Sequence, residues 1–145
     1  MTGNVGMSTD TWYDQGLLYV VGFLGLVNAA NGLFMFFAPQ TWFFTTPGVV
    51  DTGPFNHHLV QDVGTAYFMT AIAAFWALRV PAYRFPLMAV ASVFIGLHGV
   101  IHVVDIIEGR CGDQTDDVLA VILPALLWIA VTARLGQIGP TSSKM

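Results

Sequence analysis

Apolar residues run almost unbroken through four stretches, 16–38, 57–79, 85–108 and 116–135, and the breaks between them collect proline, glycine and charge. A bilayer core takes about 20 apolar residues per helix, because every backbone polar group has to be satisfied within the span. The pattern therefore predicts an all-α integral membrane four-helix bundle, one domain with four transmembrane spans and both termini on the same side. Local signals agree with those limits. Pro39 and Pro81 stop the first two spans, Asn56 suits the N-cap of the second, Pro86 the first turn of the third and Gly109 its C-terminal cap. Asp116 and Asp117 sit at the positive N-terminal end of the fourth. Inside that span Pro124 leaves the Ala120 carbonyl without its helical donor, which predicts a kink.

Composition strengthens the membrane reading: 55% of the 145 residues are hydrophobic, 10% are charged, and the mean hydropathy is +0.67. The bilayer is thus the first expected partner. No linker or internal repeat divides the chain. A net charge of -4 from few groups argues against nucleic acid. The opening MTGNVGMSTD has neither a basic region nor a small-residue cleavage site, so the first hydrophobic stretch is expected to be a retained span rather than a signal peptide. Arg79, Arg84, Arg134 and Lys144 fall on one side of the plan and Arg110 on the other, which places both termini in the cytoplasm. Trp12, Tyr13, Trp76 and Tyr83 mark that cytoplasmic interface. In the long outer loop, Trp42, Phe43 and Phe44 suit a short re-entrant or amphipathic turn. The lone Cys111 precludes an intramolecular disulfide and a CxxC motif; it reads as an inert loop thiol, with a bond to a second copy as the alternative.

The polar residues within the spans change the picture most. Ionisable groups there cost about 2.5 to 3.5 kcal/mol each on insertion scales, so they face the bundle interior and mark function. In GLHGVIHVVDIIEG, His98, His102 and Asp105 stand at i, i+4 and i+7, within a sector of roughly 60°. In HHLVQDVGT, His58 and Asp62 stand at i and i+4, with Thr65 and Met69 continuing the face and His57 and Gln61 beside it. Asp105 and His102 lie about 5 and 9 Å below Glu108, and Asp62 about 7.5 Å below the same surface, at 1.5 Å per residue. Asn28 and Asn31 of the first span share that leaflet, and Asp116 and Asp117 close it. The expectation is one polar pocket opening to the outer side.

Three chemistries suit such a pocket. His98 and His102 can chelate one ion, zinc, copper or iron, with His58 and Asp62 as third and fourth ligands and Asp105 as a ligand or as the acceptor fixing the His102 tautomer. A b-type haem held between His58 and His98 or His102 is the second, with Gly64, Gly96 and Gly99 giving room. In the third, the side chains are interhelical hydrogen-bonding glue, or a proton relay or solute path through the same residues. Gly22, Gly25, Gly32, Gly64, Gly96 and Gly99 read most simply as close-packing positions, and Met35, Met69 and Met88 as filler. No Walker motif, dinucleotide loop or Ser/His/Asp hydrolase arrangement occurs.

The four-span layout and the second-span opening FNHHLVQDVGTAYF resemble small four-helix bacterial membrane proteins of DoxX-like architecture. That resemblance implies the fold, and several such proteins are linked to redox partners; it supplies no catalytic residues. The expected function is a metal-binding membrane protein in a redox or metal-handling role, alone or as an oxidoreductase subunit. An accessory or assembly subunit of a larger membrane complex, with a purely structural polar cluster, is the alternative. A small transporter would need a homo-oligomer, because four helices leave little room for alternating access.

Overall fold

The structure, a computed structural model, describes residues 10–110 and 114–138, and these are helical with no strand among them. Cys111 and Lys144 lie outside the described residues, as do the side chains of Trp12 and Tyr13. Five helices follow one another: α1 Asp10–Phe37, α2 Pro39–Thr45, α3 His57–Arg79, α4 Arg84–Ile107 and α5 Gln114–Ile138. Segments Gln15–Phe37, Pro81–Ile107 and Gln114–Ile138 are long and apolar enough to cross a membrane. Helix α3 forms where the second span was expected and has 23 residues, but His57, His58, Gln61, Asp62 and Arg79 dilute its apolar character.

The helix ends follow the local chemistry. The Asn56 side chain accepts from the Leu59 N–H at 3.1 Å, an N-cap in the expected place. Gly109 has φ +69°, its N–H donates to the Ile106 carbonyl at 3.1 Å, and the Arg110 N–H reaches the Asp105 carbonyl at 2.8 Å. This pair of bonds is the Schellman ending of α4, and it needs the left-handed backbone that glycine adopts freely. Pro39 starts α2 one residue beyond α1, so α2 folds back: the Trp42 Nε1 donates to the Asn31 Oδ1 at 2.9 Å, while Phe43 is buried and Phe44 exposed.

Around Pro124 the helix widens rather than breaks. Residues Val118–Ile122 form a π turn in which the Leu123 N–H donates to the carbonyl of Val118, five residues back. The wider turn surrounds Ala120, whose carbonyl cannot receive from Pro124.

Successive long helices run antiparallel. On α1 and α3, Gly32 meets Gly64 at one end and Gly22 meets Leu78 at the other. A Cβ built on Gly32 would stand 2.6 Å from the Gly64 carbonyl oxygen, so only glycine permits this approach. Between α4 and α5, the Ser92 and Thr132 hydroxyls lie 2.9 Å apart, and Trp128 donates to the Met88 carbonyl at 3.5 Å. The main core, including Val21, Leu24, Ala74, Met88, Ile95 and Trp128, fills the half nearer Arg79 and Arg84. A smaller cluster of Met35, Phe43 and Val60 lies under α2. The apolar core thus leaves the other end of α3, α4 and α5 for polar groups.

Candidate functional site

Two turns from the end of α4, His98 and His102 lie along one face and meet edge to face, with ring centroids 4.7 Å apart and planes at 70°. Helical spacing of four residues puts them there, as expected. Phe94, a further turn back, lies nearly parallel to His98 at 5.9 Å, and Tyr67 of α3 meets its edge at 5.6 Å. His98 is therefore held on three sides by rings.

The partner of His102 comes from α5. The Oδ1 of Asp117 lies 2.7 Å from Nδ1 of His102, and the two side chains are only 16% and 18% exposed. A carboxylate can only accept, so His102 donates from Nδ1, and a neutral ring held in that tautomer presents its lone pair on Nε2. The π turn begins at the next residue, Val118, so the irregular helix sets the rotation of Asp117. The sequence places Asp117 at the helix N-terminus, closing the polar side, but assigns it no histidine partner. A signal for its contact with His102 existed: 102 and 117 lie seven and eight residues from Gly109, nearly symmetric about the turn joining two antiparallel helices.

The remaining expected members go elsewhere. Asp105 accepts from the Arg110 Nε at 2.8 Å, and Arg110 also pairs with Glu108. Asp105 is thus tied to the loop cation, and Asp117 makes the His102 contact expected of Asp105. His58 and Asp62 pair with each other, Nε2 to Oδ2 3.4 Å, with side chains 86% and 62% exposed. They point away from the bundle, which corrects the expectation of one shared pocket: the face carrying Tyr67, not the face carrying His58, turns towards α4. Asn28 bonds to Thr70 at 3.2 Å and Asn31 to Trp42, so both serve helix contacts. Gln61 donates to the Phe36 carbonyl at 2.9 Å.

Among the described residues no group of three or more His, Cys, Asp or Glu side chains is arranged to hold a metal ion. His98 and His102 are the imidazoles that remain together. Two rings bound to one tetrahedral ion, each nitrogen about 2.1 Å from it, have centroids about 5 Å apart, close to the separation here. A haem between His58 and either of them would need His58 turned inward. The glycines expected to make room for it are filled from neighbouring helices, Gly64 by Met35 and Gly99 by Ala125. Of the methionines, Met35 and Met88 are buried filler, whereas Met69 is exposed. Compared with family models, curated proteins and solved structures, the chain gave no match.

Proposed function

We propose that this is a four-span inner-membrane protein with cytoplasmic termini that binds one transition metal ion, zinc, copper or iron, through His98 and His102 in a redox or metal-handling role. The observation that carries the reading is the Asp117 to His102 contact at 2.7 Å with the second imidazole one turn away. A carboxylate on the far nitrogen of a histidine is the arrangement that fixes ring orientation and raises ligand basicity at metal sites. With two protein ligands, the remaining coordination positions would fall to water or substrate, which suits handling or redox chemistry better than a closed structural site. Support for α3 as the fourth span comes from its packing along α1 from one end to the other, since a helix lying antiparallel to a span returns the chain across the bilayer. The DoxX-like resemblance accords with that layout. Arg79, Arg84 and Arg134 gather at one end of the bundle, which supports a cytoplasmic assignment for it.

A second reading, an accessory subunit in which the array only fixes helix register, draws on a different observation: no buried side-chain nitrogen or oxygen among the described residues lacks a partner. Metal analysis of protein purified in mild detergent separates the two. The metal reading expects near-stoichiometric ion that is lost in both His98→Ala and His102→Ala and weakened roughly 10- to 100-fold in Asp117→Asn. Protein that is metal-free, cannot be loaded, and functions unchanged with both histidines replaced would leave the accessory role.

A further inference from the structure

Four long helices present outward faces, and three of them are apolar there: Phe23 and Leu26 on α1, Val93 and Leu97 on α4, Leu119 and Leu126 on α5 are all exposed. Helix α3 differs. Its exposed face carries His58, Asp62, Thr65, Met69, Ile72 and Trp76. The intervals are 4, 3, 4, 3 and 4 residues, the seam along which two helices pack side by side in a coiled coil. Ionisable groups in spans face protein or water rather than lipid, and Asp62 lies about 7.5 Å along α3 from its first residue. Something other than acyl chain therefore covers this face.

The charges identify the occupant. A histidine and a carboxylate one turn apart form a patch complementary to itself: a two-fold axis normal to the membrane brings each residue level with its own copy and each histidine next to the other copy's carboxylate. We propose that a second copy of this chain docks on the outward face of α3, the two α3 helices parallel, with His58 of each copy pairing with Asp62 of the other. Thr65 and Met69 continue the seam below the charged layer, and Trp76 ends it near the opposite surface. The dimer rests on α3 lying in the bilayer, and is independent of whether His98 and His102 hold an ion.

The test uses the full chain in native membranes, with Cys111→Ser as background. Thr65→Cys should form an intermolecular disulfide on mild oxidation, while Val90→Cys, on the exposed face of α4, should not. Light scattering on protein in lipid nanodiscs should give a two-chain particle. Asp62→Ala should lose it, and the exchange of His58→Asp with Asp62→His should restore it. A one-chain particle for the unaltered protein overturns the proposal. So does cross-linking through Val90→Cys in place of Thr65→Cys, or a two-chain particle indifferent to Asp62→Ala.

Discussion

Gly64 and Thr70 sit two turns apart on α3, and both meet α1. They illustrate how unequal single contacts are in a membrane bundle. A Cβ on Gly64 would stand 2.7 Å from the Met35 Cβ and 2.9 Å from the Gly32 carbonyl oxygen. Gly64→Leu should force α1 and α3 apart, at about 1 to 3 kcal/mol or more by analogy with overpacked cores. The hydrogen bond from Thr70 to Asn28 is intimate, yet such bonds average about 0.6 kcal/mol in membranes. Thr70→Val should therefore shift unfolding in mild detergent slightly, and Gly64→Leu strongly; equal effects would contradict the close-packing account. Trp128, fully buried against Met88, belongs with Gly64: Trp128→Ala should cost about 3 to 5 kcal/mol through the cavity it leaves.

At the scale of an element, α5 connects sequence to site most directly. Pro124 was legible in the sequence as a defect, and the defect became a π turn that carries Asp117 on its outer side. Pro124→Ala returns a donor to the Ala120 carbonyl and favours a regular helix. Closing the wide turn rotates Asp117 by about 100° relative to the rest of α5, one residue's turn of an α-helix. The expected outcome is a protein more resistant to heat in detergent whose metal retention falls as in Asp117→Asn. Higher stability with unchanged metal content would separate the π turn from the site. On α3, by contrast, the stripe of His58, Asp62, Thr65 and Met69 was correctly read as one face, but its direction was not readable. Helical periodicity fixes which residues share a face; the neighbour that face meets depends on rotation about the axis. Here glycine decided the rotation. The close approach at Gly32 and Gly64 pins the small side of α3 to α1, and the ionisable side turns outward.

For the whole molecule, the separation of charge is the feature that sets orientation. The proposed orientation puts Arg79, Arg84 and Arg134 at the cytoplasmic end; on it, a cysteine at Ala82 in the Cys111→Ser background should react with an impermeant thiol reagent only after the cells are opened. One at Thr52 should react in intact cells. The reverse pattern would invert the topology and put His102 and Asp117 on the cytoplasmic side. How far the sequence reached has a physical boundary. Hydrophobic run length, proline positions, the Asn56 cap and the Gly109 ending act through the backbone of a few adjacent residues, so the sequence by itself determined the long helices and the placing of His98 and His102 one turn apart, whereas α1 opens at Asp10, six residues before the expected Gly16. Relations between helices depend on side-chain packing summed over whole interfaces. Only the tertiary structure decided that Asp117 rather than Asp105 would meet His102, that Tyr67 would close on His98, and that His58 and Asp62 would face out of the bundle instead of into it.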